Sequence, residues 1–441
     1  MAADWTPAHV QRLFWRAGFG ARPDEVARWA DAGRDATLAW ILNGGGGAAL
    51  VGPAPHTADG PLDPLNEWGH DGLWWLDRMV RSQRPLVEKM TLFWHDHFAT
   101  RDQETPLMLA QNRMLRKNAL GNFRTLVRDI TQDNAMGLFL SLFESTKWAP
   151  NENYARELME LFCLGRGYTE KDVREAARAL TGFQGKWDDG GFRGSHYNRS
   201  LHDAGVKRIL GHRGNLDWRD VVDIVTGHRN HAPFLVEKLW AFFVAQPLDA
   251  STKARLVRVY RSRKLAIKPV LAEILAHPKL YANLDRPDMV KSPLVFLAGA
   301  LRTTGSGIDR SSWTWLLDGM GQQPFRPPSV AGWEWGTAWL STNTMKNRFQ
   351  AITYLFNDDG PLAVADGSTP VDLSPQDAVH RAWSAVGQPW LSDATRDALV
   401  QMAQGAFSDL KATDRRRQQR ADMRERTLRH LLLSGPDAQL H

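Results

Sequence analysis

The chain has 441 residues, of which 43% are apolar, 24% charged and 10% aromatic, a balance that supports a sizeable core and excludes disordered, low-complexity and collagen-like classes. Its 55 basic and 49 acidic side chains leave a formal charge of +6, too small over this length to indicate a nucleic-acid partner without a concentrated patch. A single cysteine, Cys163, excludes an intrachain disulfide and a thiolate metal cage, and the apolar runs fall far short of the roughly 18 residues that suggest a membrane span.

No hydrophobic leader follows Met1, so the chain reads as a soluble, cytoplasmic protein unless a leader has been removed. Thr6 and Pro7 cap and start a first helix whose stripe is Val10, Leu13, Phe14 and Ala17, and Gly18 and Gly20 end it. A second helix runs from about Asp24 to Gly33 with Val26, Trp29 and Ala30 inward, and a third holds Leu38, Ile41 and Leu42 before the glycine run 44–47. Between residues 73 and 98 two helical patterns meet at Pro85; the second puts Leu86, Met90, Phe93 and His97 on one coreward stripe. The segment 151–165 predicts a helix with Tyr154, Leu158, Leu161 and Phe162 buried, and Thr169 with Asp172 reads as a capping box for a helix carrying Val173, Ala176, Ala177 and Leu180 inward. Regularity breaks down over 183–212, where Asp188, Asp189, Gly190 and Gly191 form the turn of a small β-hairpin followed by an irregular loop. Helices resume at Asp217 and run to about 301, with a second irregular stretch over 321–342.

The expected class is therefore mainly α: a multi-helix globular body with a small β-hairpin and long irregular loops. One main domain covers 1–356, an Asp-, Gly- and Pro-rich linker or excursion covers 357–375, and a C-terminal helical extension covers 376–441 and packs on the main body. The arginine-rich stretch 415–426 carries Asp414, Asp422 and Glu425 at helical spacings, which favours a charge-laced exposed helix over a nucleic-acid arm.

Several strings point the same way: RLFWRAGFG, MTLFWHDHFAT, MLRKNALGNFR, PNENYARELMELFCLG, GYTEKDVREAARALTGF, LHDAGVKRILG, MGQQPFRPPSVAGW and LLLSGPDAQL. Together they resemble the bacterial family catalogued as domain of unknown function 1800, over about 13–440. The resemblance implies no agreed activity, only that members are often exported and encoded beside sulfatase-like proteins. In two places the chain departs from the family pattern: many relatives carry a histidine at the position of Phe162 and a carboxylate at that of Val295, so a site built on either would be lost or altered here.

Candidate chemistry lies in three stretches. Spacings of four and three place Asn153, Glu157 and Glu160 on one helix face, suited to a hard cation or to a split into proton donor and acceptor; the bland alternative is a solvated face. Glu152 and Arg156 read as a surface ion pair. His95 and His97 offer imidazoles, although residues two apart on a helix point in nearly opposite directions, and the metalloprotease spacing is absent. A loop holds His202, Asp203 and Lys207, with Asp203 placed to orient His202. Half of the 14 histidines fall between His95 and His231.

If the three stretches converge, His95, His97, Glu157 and His202 would ligate a divalent metal of unknown identity, and Glu157, Glu160, His202 and Asp203 would act on a bound water or substrate. Asn153 and Lys207 would position a small-molecule substrate. The first expectation is thus a metal-dependent hydrolase or, second, oxidase. The alternative is a non-catalytic helical scaffold that binds a protein partner or glycan through the tryptophan-rich loop with Trp333, Trp335 and Trp339. Most of the 19 tryptophans, Trp29, Trp94 and Trp240 among them, are expected in the core, and Cys163 is expected to be inert.

Overall fold

The computed structural model describes residues 5–101, 103–189, 191–356, 360, 362–408 and 416–441. Among these are twenty α-helices and three two-stranded antiparallel sheets, and the described residues are 57% helical, which makes the chain mainly α. No helix of the described residues is long and apolar enough to cross a membrane.

Two compact units divide the chain. The first takes Met1–Pro85, Tyr281–Gln323 and Glu334–His441; the second takes Leu86–Leu280 and Pro324–Trp333. Nothing in the sequence marks these crossings, because the first crossing falls inside the unbroken helix Pro85–His97. The helices of 376–441 belong to the first unit with the N-terminal ones. In the expected excursion 357–375, residues 357–359 and 361 lie outside the described residues.

In the first unit the opening stripe forms the helix Pro7–Arg16, with Val10, Leu13, Phe14 and Ala17 fully buried. The next helix, Glu25–Ala32, turns Glu25 and Trp29 inward and leaves Val26 and Ala30 half-buried. Glu25 takes the inward place because a fully buried guanidinium waits there. Arg302 donates to Gly20 O, Val80 O and Ser82 O, each at 2.9 Å, and to Glu25 Oε2 at 3.3 Å, so its planar fork is satisfied by three carbonyls and one carboxylate. The helix Arg417–Ser434 corrects a second expectation, since Asp422, Arg424 and Glu425 are buried rather than solvated. Asp422 accepts from Gly367 N at 2.8 Å and Thr369 N at 3.0 Å, tying a loop to the helix. Charges at helical spacing announce a helix without saying which face is covered. Asp414 and Arg415 lie outside the described residues.

In the second unit the helix Pro85–His97 buries the expected Leu86, Met90 and Phe93, but its opposite side is buried as well. Glu88 survives there because Arg116 reaches it with Nε at 2.8 Å and Nη2 at 3.0 Å. The capping box forms as read: Asp172 N donates to Thr169 Oγ1 at 3.2 Å and Thr169 N to Asp172 Oδ2 at 2.9 Å. Val173, Ala176, Ala177 and Leu180 are fully buried behind it. The predicted hairpin pairs Phe183–Asp188 with Gly191–Tyr197, with a bulge at Lys186/Trp187; Gly190 of its turn lies outside the described residues. A second hairpin, Lys207–Ile209 with His212–Gly214, occupies the stretch read as irregular. The segment 151–165 is α-helical only over Asn153–Glu157 and continues as π-helix over Leu158–Leu164.

Candidate functional site

The last carbonyls of any helix have no intrahelical donor, and a π-helix, which bonds i to i+5, leaves its final turn open in the same way. Here Leu158–Leu164 is closed by Gly165 at φ 69°, a conformation glycine adopts without strain. Three consecutive carbonyls of this segment are taken by side chains from other helices, the buried His97 and His231 and the half-buried Lys238. Lys238 Nζ donates to Leu161 O at 3.3 Å, His97 Nε2 to Phe162 O at 3.0 Å, and His231 Nδ1 to Cys163 O at 3.0 Å. Because His97 donates through Nε2, its Nδ1 is an acceptor, and Lys238 Nζ fills it at 3.2 Å. By the same logic His231 Nε2 accepts from Tyr260 Oη at 2.9 Å. Burial holds both rings neutral, His97 well below its ordinary value and His231 at about 4.

His95 points away from this network, as its spacing from His97 requires. Its ring lies 5.6 Å from those of Phe325 and Trp333, and burial pushes its pKa down to about 3. The neighbouring Asp96 accepts from Trp333 N at 2.8 Å. Trp333 is therefore a buried packing residue, whereas Trp335 belongs to the first unit, is partly exposed and stands edge-on to the buried Trp339.

On the outer side of the π-helix Asn153 and Glu160 are exposed and Glu157 is half-buried. Desolvation and the charge of Glu160 raise the Glu157 carboxyl above its ordinary pKa. Tyr168 Oη donates to Glu160 Oε2 at 3.0 Å. Arg156 joins Glu152 at 3.1 Å, as expected, and also Glu170 at 2.7 Å. The buried Cys163 thiol is pushed up by desolvation, which suits an inert residue.

The loop of His202, Asp203 and Lys207 is wired to the helix Glu170–Ala179 and its end. His202 Nδ1 donates to Thr181 O at 3.0 Å, and Asp203 N to Thr181 Oγ1 at 2.8 Å. Asp203 does not orient His202: its Oδ2 accepts from Arg178 Nε at 2.7 Å and its Oδ1 from Gly205 N at 2.8 Å. The buried Lys207 ammonium donates to Gly205 O and Leu216 O at 3.0 Å and to Asp203 O, so all three protons hold backbone.

The structure thus pairs Glu157 with Glu160, His95 with Trp333 and Asp203 with Lys207. Among the described residues no group of three His, Cys, Asp or Glu side chains is placed to hold a metal ion. Lys238, His231, Tyr260 and Arg178 were missed from the sequence. A signal existed for two of them: His231 and Lys238 stand in the otherwise strongly apolar helix His231–Phe243.

The first unit carries a different feature. Trp68 and Trp315 are 52% and 62% exposed, and their ring centroids lie 4.6 Å apart with planes at 39°. Trp68 sits in a bend organised by Asp63, whose carboxylate accepts from Leu65 N and Asn66 N at 3.2 Å and from Asn66 Nδ2 at 2.8 Å. Gly69 follows at φ 77°, and a Cβ there would stand 2.7 Å from the Thr314 methyl, so the bend lies close against the start of the helix Trp313–Gly319. Leu65 is exposed beside the pair in sequence.

The family profile described as protein of unknown function (DUF1800) matches residues 12–440. No curated protein and no solved structure matches the chain.

Proposed function

We propose, for a chain that belongs to the DUF1800 family, that it works as a helical binding scaffold whose contact surface includes the Trp68–Trp315 pair and whose ligand is a glycan. One observation carries this reading: two indoles from distant parts of the chain are held 4.6 Å apart while more than half of each stays exposed. Large exposed apolar area on a folded surface marks an interaction site more often than an accident of packing. Indole faces stack on the C–H faces of pyranose rings, and the flanking Asp63, Asn66 and Glu67 supply acceptors and an amide suited to hydroxyl groups. In this reading His97, His231, Lys238, His202 and Lys207 serve the fold, each with its bonds to carbonyls or neighbouring rings.

Retention on insoluble and soluble polysaccharides, followed by tryptophan fluorescence, tests the proposal. Binding that blue-shifts emission and falls at least about tenfold in Trp68→Ala and Trp315→Ala supports it. Absence of retention across a broad glycan panel, or retention indifferent to both substitutions, overturns it.

A second reading, metal-assisted hydrolysis or oxidation with His95, His97, Glu157 and His202 as ligands, is favoured by the Glu157 carboxyl, which has a raised pKa and no hydrogen-bond partner among the described residues. It requires His97 to surrender Phe162 O or Lys238. Elemental analysis of tag-free protein, with Glu157→Ala and His202→Ala beside it, decides between the two readings.

A further inference from the structure

Lys291 stands just before the helix Pro293–Thr303 in the first unit. Its backbone is fixed from both sides: its N–H donates to Gln439 O at 2.8 Å, and its carbonyl accepts from Arg348 Nη2 at 2.7 Å. The buried side chain then has little choice of direction. Nζ donates to Ala438 O at 2.8 Å and stands 3.8 Å from the centroid of the Trp15 ring. It lines a cavity of about 80 Å³ with largely apolar walls, Trp15, Phe296, Trp390 and Leu432 among them, and a half-buried rim that includes Gln11 and Pro287. A single water needs roughly 10–15 Å³ measured this way, so the space admits a molecule of several heavy atoms.

The charges nearby do not neutralise this amine. Arg348 adds a like charge. Asp288 is held by Arg12 and Arg16, and Asp437 accepts from Ser392 N at 2.8 Å and Ser392 Oγ at 2.9 Å. His441 and Arg12 also line the cavity. No carboxylate among the described residues forms an ion pair with Lys291. A buried ammonium without a counter-ion sheds its proton, and burial lowers Lys291 to about 7. The anchoring of Ala438 O does not by itself account for the cavity that Lys291 lines.

We propose that Lys291 is the reactive amine of a small-molecule site, taking small aldehydes or ketones as imines. The Nζ lone pair attacks the carbonyl carbon while the π pair moves to oxygen. A proton passes from nitrogen to that oxygen, the C–O bond of the carbinolamine breaks, and the oxygen leaves as water with both amine hydrogens. One C=N bond and one water are the products, and no oxidant or reductant is consumed. The apolar walls favour this dehydration by keeping bulk water from the C=N bond. Simple anion binding fits less well, because Arg12 and Arg16 are engaged with Asp288 and Lys291 alone would face the anion.

The test uses the whole protein with propanal and cyanoborohydride at pH 7, followed by peptide mapping. At that pH Lys291 has about a thousandfold larger neutral fraction than an ordinary lysine. The site predicts labelling of Lys291 at least about tenfold faster than the mean of exposed lysines, with the advantage gone at pH 10 and in denaturant. Lys291→Met should remove the fast adduct; because that variant could disturb the fold, the peptide map of the unaltered protein is decisive by itself. Labelling of Lys291 no faster than that of surface lysines overturns the proposal. So does binding of propanoate at the cavity with no trappable propanal adduct, which would make the site an anion pocket.

Discussion

Lys207 offers the sharpest test of whether the polar residues of the second unit serve structure. Replacing it with methionine keeps most of the stem and removes an ammonium that donates to three carbonyls, two of them at 3.0 Å. A hydrogen bond to a charged group contributes about 1.5–3 kcal/mol net. Full addition would overstate the loss, because Gly205 is exposed and Leu216 half-buried, so water can reach their carbonyls once the amine is gone. Burial also lowers the Lys207 pKa, a sign that its desolvation is only partly offset. The expected net loss is therefore about 2–4 kcal/mol. It falls on the loop that Lys207 closes, residues 203–216, rather than on the whole chain. Amide hydrogen exchange reads such local opening, and the expected acceleration there is roughly 30- to 700-fold. Urea unfolding is the weaker assay, since a chain of two units need not unfold in one step. Exchange over 203–216 within about threefold of the unaltered protein would refute the clasp. If glycan or metal binding disappeared at the same time, Lys207 would be a ligand-positioning residue.

Three other expectations follow from the same contacts. Trp68→Ala and Trp315→Ala should each change stability by no more than about 0.5 kcal/mol, because neither indole belongs to the core; a large fall in melting temperature would show that the pair is structural. His95 and His231 are neutral when folded, at about 3 and 4, whereas the unfolded chain binds protons near 6.5. Below pH 6.5 the unfolded state thus takes up more protons, and stability should fall by about 1.4 kcal/mol per histidine per pH unit until the folded values are reached. A melting temperature that stays flat between pH 6.5 and 5 would contradict this. Gly165→Ala should destabilise by about 1–3 kcal/mol in thermal unfolding, since its φ of 69° disfavours a side chain and a Cβ would meet the Phe234 ring at 2.9 Å; a neutral effect would mean that the π-helix closes in another way.

Local features of the sequence were legible and non-local ones were not. The capping box of Thr169 and Asp172 could be read because its two bonds join residues three apart. The divergence of His95 and His97 followed from helix geometry alone, and the rings indeed face Phe325 and Phe162 O respectively. Burial of both could not be read, because it depends on how many elements surround a helix, and no periodicity encodes that. The π-helix was invisible for a related reason. The carbonyls open at its C-terminal end are met by His97, His231 and Lys238, all distant in sequence. Among the tryptophans, Trp29, Trp94 and Trp240 were placed correctly in the core. Trp333 is buried where its loop folds onto Asp96, which spacing cannot foretell, and Trp68 and Trp315 become a pair only through tertiary structure.

The strings that resemble the family concentrate histidine, lysine and aspartate, which points to catalysis on the premise that a helical bundle has no structural need of them. That premise holds only for regular helices, whose backbone groups satisfy one another. The second unit interrupts its helices with a π segment that ends at Gly165 and with two short hairpins joined by loops, and each such end frees carbonyls and amides that must find partners inside. His97, His231 and Lys238 meet that need along the π-helix, and Lys207, Asp203 and Thr181 meet it around the loop. Neutral histidine suits the task because one ring gives a donor on one side and an acceptor on the other, so His97 and His231 each link a carbonyl to a second polar group without burying a charge. Lys291 differs from these residues. It too holds a carbonyl, but its side chain also lines a cavity, which backbone satisfaction does not explain.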